Sequence, residues 1–356
     1  MEWSIDISQI WQDYGLDELS ESIKTLFPKT GISLENLLYQ ILSGDILGAV
    51  KGVLHSVIGG IGGEFSGVKN VLVWLVVLGI VSALLTYFSE IFEKHQIADL
   101  SFYVMYLMLI VVLIQCFDQA AKTAVVAIEN IVLFIKLLIP TYLLAVGIAT
   151  GATTVGAYYQ LLLLMIYGVE NILAAGLIPV IYSYCMLAIV NGIWIDGKLS
   201  ALMKLLTKGI GMVLKTAVGI VTGVSIFQAI ITPVIDSVKS SVLQKAITSI
   251  PGIGNLADGV VELVTGSAVI IKNSLGIIML ILMLVLCAIP LLRILLIAGV
   301  LKIASALIGL VGDTRLTKCI DQVGECCLML LRTVATAMLL FLITISVLAT
   351  AANRGF

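Results

Sequence analysis

The sequence predicts an all-α polytopic membrane protein: a helical bundle of seven to nine spans, preceded by a small amphipathic helical region. Of the 356 residues, 60% are apolar and 12% are charged, whereas soluble domains average about 45–50% and about 25%. Apolar runs of about 18–25 residues, the length that crosses a bilayer, recur along the chain. The formal net charge of −2 gives no signature of a nucleic-acid partner.

The first predicted region, residues 1–69, is an acidic amphipathic head. It carries four lysines against nine acidic residues, and no signal peptide is visible at its start. Ser33, followed by Glu35, opens a predicted helix in which leucine and isoleucine recur at helical spacing. A glycine cluster at 59–63 predicts a hinge between this head and the membrane.

Residues 70–194 form a predicted first group of membrane helices. A block at its end is nearly uncharged over forty residues, too long for one span, so we expect two helices or a broken pair there. The apolar runs of the group are 71–88, 100–117, 124–149 and the long block 155–194.

Residues 195–216 form a predicted basic amphipathic segment that sets the orientation. The segment contains four lysines and one acidic residue, Asp196. The positive-inside rule places such a segment in the cytoplasm, on the inner leaflet. With five spans before it, the acidic head falls on the extracytoplasmic side. The lysines of this cytoplasmic surface are Lys198, Lys204, Lys208 and Lys215.

Residues 217–356 form a predicted second group of membrane helices. Its apolar runs are 217–235, the double-length block 273–311 and 327–350, with an amphipathic segment at 236–272. Prolines interrupt the long runs of both groups, and a proline removes a backbone bond and kinks a helix. The predicted helix breaks are Pro140, Pro179 and Pro290.

Charged residues inside the apolar runs are the candidate pathway residues. A charge near the bilayer centre costs about 2.5–3.5 kcal/mol on insertion scales and therefore faces protein or water. The alternatives are an interhelical salt bridge, such as one between Glu170 and Arg293, and snorkelling, which suits Arg332 near the start of its span. The candidates are Glu129, Lys136, Glu170, Arg293 and Arg332.

Catalytic chemistry has little support in the sequence. The two histidines, His55 and His95, are too far apart for a helical metal motif, and Leu199 stands where a P-loop needs Ser or Thr. We therefore expect no enzyme activity, no catalytic residue, no metal and no cofactor.

Two pairs of glycines spaced by four residues allow helices to approach closely. They predict helix packing, and a homo-oligomer is one form that this packing could take. The pairs are Gly147 with Gly151, and Gly219 with Gly223.

Motifs in the second half resemble one known family. They include Asp196-Gly197-Lys198-Leu199-Ser200, Thr222-Gly223-Val224-Ser225, Ile250-Pro251-Gly252-Ile253-Gly254, Asp313-Thr314-Arg315-Leu316 and Gly324-Glu325. The chain resembles the stage III sporulation protein AE family, most densely over residues 138–345.

The resemblance implies a channel or transporter-like component that links mother cell and forespore, in the mother-cell-derived membrane around the forespore. It implies partners in the complex: ring-forming proteins and a separate ATPase. A non-conducting scaffold that anchors the rings is the alternative, and a secondary transporter of a small solute is a third. A conduit should line a wet path with its buried charges, whereas a scaffold should neutralise them in pairs.

Overall fold

The protein is helical throughout the part of the chain that the computed structural model describes. The described residues are 20–21, 23, 33–45, 47–52, 70–84, 95–150, 152–193, 198–247, 254–310 and 314–351. The predicted hinge at 59–63 and Gly151 lie outside them.

In the described part of the chain, eight α-helices and one π-helical segment form the bundle. They are α1 (Leu34–Leu42), α2 (Asn70–Leu84), α3 (His95–Thr150), α4 (Ala152–Gly168), the π segment (Val169–Leu177), α5 (Ile178–Asn191), α6 (Ser200–Ile247), α7 (Gly254–Ile308) and α8 (Thr314–Ala351). A short helical stretch also covers residues 47–52. The predicted all-α class is confirmed.

Five helical stretches of the described chain are long and apolar enough to cross a membrane. They are Phe102–Pro140, Tyr159–Asn191, Ser200–Ile226, Asn273–Ile308 and Thr314–Ser346, and α2 is a shorter apolar helix. The predicted count of seven to nine spans is not confirmed.

One reason for the lower number of candidate spans is that no loop separates the predicted runs 100–117 and 124–149. Asp118 and Lys122 lie between them inside α3 and form an ion pair of 2.7 Å on its surface. Residues four apart share a helix face, so the polar interruption is accommodated without ending the helix.

A second reason is that the block 155–194 is helical without a break from Ala152 to Asn191. Instead of separating two helices, Pro179 follows a π-helical turn. A proline lacks the N–H that would bond the carbonyl four residues back and crowds that carbonyl. The wider π turn before it accommodates the mismatch, and the chain stays helical through the proline.

The breaks predicted at Pro140 and Pro290 are not confirmed either. Both prolines lie inside continuous helices, α3 and α7. A proline removes one backbone bond from its helix, and in helices of more than fifty residues the remaining bonds and the packing against neighbours carry the helix across it.

The centre of the bundle is α8, which packs against α3, α5, α6 and α7. Buried residues recur every three or four positions along its inner face, the period of a buried helical stripe. Residues of this face that are fully buried include Cys319, Val323, Cys327, Leu330, Val334, Ala337 and Phe341.

The described part of the head packs on the membrane body. Helix α1 begins after Ser33, as predicted, and contacts α7. Its buried side consists of Leu37, Leu38 and Ile41, whose spacing places them on one face of the helix. It ends at Leu42, and Gly44, two residues later, has a φ of +84°, the left-handed conformation that terminates helices and favours glycine.

Candidate functional site

A row of four charged residues runs along one face of α8. Lys318, Asp321, Glu325 and Arg332 are spaced by three, four and seven residues, which places them within a sector of about 60° on a helix of 3.6 residues per turn. Three of these side chains take part in ion pairs and are 30–58% exposed. We call this row the charged stripe; it extends over about 21 Å of the helix.

Lys302 of α7 connects the charged stripe to the neighbouring helix. Its Nζ lies 2.7 Å from Asp321 Oδ1 and 3.7 Å from Glu325 Oε2. Arg332 Nη2 lies 3.2 Å from the other oxygen of Glu325. Two cations and two carboxylates thus form one network, in which Glu325 forms an ion pair with a cation on each side.

Gly324 lies against the stem of Lys302 in this network. A Cβ atom at this position would lie 3.4 Å from Lys302 Cε and 3.5 Å from its Cδ, an ordinary van der Waals contact. The lysine stem crosses α8 over the missing side chain and reaches the carboxylates beyond it. Sequence reasoning missed Lys302 and Asp321, although the three- and four-residue spacing of charges along α8 was a usable signal.

A second ion pair joins α3 to the π segment. Lys136 Nζ donates to Glu170 Oε1 at 2.6 Å, and the two side chains are 48% and 44% exposed. The sequence placed both residues in the candidate set but suggested Arg293 as the partner of Glu170. Because the two residues lie in antiparallel helical segments 34 positions apart, only the packing of the helices reveals the pairing.

The other candidate charges lie elsewhere on the bundle. Glu129 is exposed on α3, and Arg293 is half-buried on α7, three residues after Pro290. Arg332, for which snorkelling was the alternative, forms an ion pair with Glu325. The candidate charges are therefore distributed over several faces and do not converge on one point.

Several contacts bring the ends of five helices together. Tyr106 of α3 donates a hydrogen bond to the carbonyl of Ile189 in α5. The buried side chain of Asn191 accepts from the backbone N–H of Leu199 at 2.9 Å, just before α6. Ser305 of α7 donates to the carbonyl of Thr317 in α8 at 3.1 Å.

This end of the bundle is rich in cations. Arg315 also stacks there, with its guanidinium carbon 3.6 Å from the centre of the Phe102 ring, a favourable cation–π distance. We call it the basic end; its lysines and arginines are Lys198, Lys204, Lys208, Lys302, Arg315 and Lys318. The basic segment of the sequence and the turn between α7 and α8 thus lie at the same end.

The predicted packing glycines are not seen in close contact in the described part of the chain, where other glycines make such contacts. A Cβ atom at Gly219 or Gly223 would meet nothing within 4 Å, so neither packs against another described part of the chain. The side chains around Gly147 and the whole of Gly151 are not described. Close contacts instead occur at Gly79, facing Ile308, and at Gly192, facing the Tyr106 hydroxyl.

Comparisons with known proteins agree with the sequence motifs. The family model of stage III sporulation protein AE matches residues 32–352. The Stage III sporulation protein AE of Bacillus subtilis (strain 168) is 24% identical over 282 residues, which cover 78% of this chain and 70% of that protein. No solved structure matches the chain significantly.

Proposed function

This chain belongs to the stage III sporulation protein AE family, and we propose that it forms the wall of a membrane conduit between mother cell and forespore. In this proposal it lies in the mother-cell-derived membrane around the forespore and assembles with ring-forming proteins and a separate ATPase. It supplies the membrane-embedded part and performs no catalysis itself.

The observation that carries the proposal is the difference between two sides of the bundle. Helices α2 and α3 expose large apolar side chains, among them Trp74, Leu84, Leu107 and Met108. Helix α8 exposes the charged stripe, whereas α6 exposes large apolar side chains such as Leu205 and Met212 beside its lysines. We call the surface that carries the charged stripe and Lys302 the polar face.

The two sides require different surroundings. Apolar side chains are stable against lipid, whereas charged groups at membrane depth face water or other protein. The polar face therefore supports the proposal that this surface lines a water-filled path. Several subunits or partners would complete the wall of that path.

The test replaces the carboxylate that joins two cations. Glu325→Gln keeps the shape of the side chain but leaves Lys302 and Arg332 without its charge. We expect normal protein accumulation and complex assembly but failed forespore development. Asp118→Asn is the matched control because it removes an ion-paired carboxylate of α3, outside the polar face, and it should sporulate like the parent.

A scaffold role has its own supporting observation, since the ion pairs between Lys136 and Glu170 and within the network of Lys302 neutralise the charges that form them. The paired variant Lys302→Glu with Asp321→Lys separates the two roles. In a scaffold the reversed pair restores assembly and sporulation. In a conduit it restores assembly while the reversed charges still impair forespore development. Normal sporulation of both Glu325→Gln and the reversed pair would refute the conduit.

A further inference from the structure

A cleft opens between α5, α6 and α8 beside the basic end. Its volume is about 560 Å³, within the range of about 300–1,000 Å³ that small-ligand sites occupy. Its polar lining comes from three helices: Tyr184 of α5, Ser200, Lys204, Thr207 and Lys208 of α6, and Gln322 of α8. We call it the lysine cleft.

Two ammonium groups stand at the rim of the lysine cleft. Lys204 and Lys208 are four residues apart on α6, so they share one helix face, and both are exposed. The start of α6 at Ser200 adds the partial positive charge of a helix N-terminus. The rim therefore attracts an anion.

The carboxylates beside Gln322 on α8 do not oppose that attraction. Asp321 lies 2.7 Å from Lys302, and the two oxygens of Glu325 lie 3.2 Å from Arg332 and 3.7 Å from Lys302. The charges of both carboxylates are compensated by these two cations, which leaves the charge of Lys204 and Lys208 uncompensated from that side.

Gln322, which lines the lysine cleft, has a hydrogen-bond acceptor without a partner among the described residues. The Gln322 Oε1 atom is fully buried and accepts no hydrogen bond within the described part of the chain. A buried acceptor without a partner costs about 1–3 kcal/mol. A ligand that carries a hydroxyl group next to its anionic group would satisfy this oxygen while the lysines hold the charge.

The surroundings of the lysine cleft identify the source of such a ligand. Leu205, which also lines it, is 66% exposed, and Leu202 beside it is 44% exposed. Apolar side chains of a candidate span thus adjoin the lysines, as acyl chains adjoin a phosphate in a phospholipid. We propose that the lysine cleft binds the headgroup of an anionic phospholipid that carries a hydroxyl group, such as phosphatidylglycerol.

The experiment uses the full-length protein purified in detergent with phosphatidylglycerol or phosphatidylcholine, and native mass spectrometry counts the retained lipids. The parent protein should retain more phosphatidylglycerol than phosphatidylcholine. Each lysine near a charged headgroup contributes about fivefold in affinity, so Lys204→Gln with Lys208→Gln should weaken retention by more than about tenfold. Lys215→Gln is the matched control, because Lys215 lies on the same helix but does not line the cleft.

Three further outcomes decide the assignment. Gln322→Leu should abolish the preference for phosphatidylglycerol over phosphatidylethanol, a phosphodiester of the same charge whose headgroup carries no hydroxyl group; an unchanged preference would overturn the role of Gln322. Equal losses in the Lys215 variant and the double variant would overturn the cleft as the site, in favour of unspecific attraction. Displacement of the lipid by inorganic phosphate would overturn the lipid as its occupant.

Discussion

At the scale of single residues, the ion pair between Lys136 and Glu170 shows how this bundle accommodates charge. Each side chain is about half exposed, so neither is enclosed in the core. Glu170 lies in the π segment, where the wider turn changes the direction in which side chains project. The pair therefore depends on the irregular helix as well as on the two residues.

We expect Lys136 and Glu170 to act as one unit. Glu170→Gln and Lys136→Gln should each lower the melting temperature of the purified protein, because each leaves the other charge without its partner. The double variant should lose less than the sum of the two, with a coupling energy of about 0.5 kcal/mol or more. The measurement is thermal unfolding of the four proteins, and strictly additive losses would contradict the pairing.

At the scale of helices, close approach occurs where a glycine faces a large side chain. Gly192 follows α5 and lies against the Tyr106 hydroxyl, which a Cβ atom at this position would displace. Tyr106 is buried and also lies 3.4 Å from the sulfur of Cys319. Three helices, α3, α5 and α8, thus meet at this one contact.

Gly192→Ala should separate these helices. Overpacking of a well-packed core costs about 1–3 kcal/mol, since the backbone of α5 and the fixed ring of Tyr106 cannot both keep their positions. We expect a lower melting temperature and less protein in the membrane. Gly223→Ala is the control, because its Cβ atom would meet nothing within 4 Å; equal destabilisation of both variants would contradict the packing.

At the scale of the whole molecule, the basic end predicts the orientation in the membrane. It collects lysines and arginines from α6, α7 and α8, and the positive-inside rule places such an end in the cytoplasm. Two candidate spans of the described chain, Phe102–Pro140 and Tyr159–Asn191, precede α6, and the shorter helix α2 precedes both. If α2 also crosses the membrane, three crossings precede α6, an odd number like the predicted five, and the head lies on the opposite side.

Labelling in intact cells tests this orientation. All six native cysteines are buried, so the parent should react weakly with an impermeant thiol reagent. A cysteine at the exposed Ser200 should be protected because it faces the cytoplasm, whereas one at the exposed Asn36 of α1 should react. The opposite pattern would reverse the topology.

The sequence by itself determined the class of this protein, the start of α1 and the family. These follow from composition, apolar period and local motifs, which each depend on residues close together in the chain. It also identified Lys136, Glu170, Lys204 and Lys208 as residues of interest, because charge within or beside an apolar run is visible without a structure.

Only the tertiary structure decided which of these residues meet. Lys302 reaches Asp321 and Glu325 across Gly324, and Lys136 reaches Glu170 across 34 positions, because the register between packed helices sets these contacts. The number of spans also depended on the tertiary structure: the polar pair Asp118 and Lys122 lies four residues apart on one helix face and leaves α3 continuous, and neighbouring helices sustain α3 and α7 through their prolines. Local residue preferences cost a few kcal/mol at most, and within a membrane the cost of leaving backbone N–H and C=O groups without partners outweighs them.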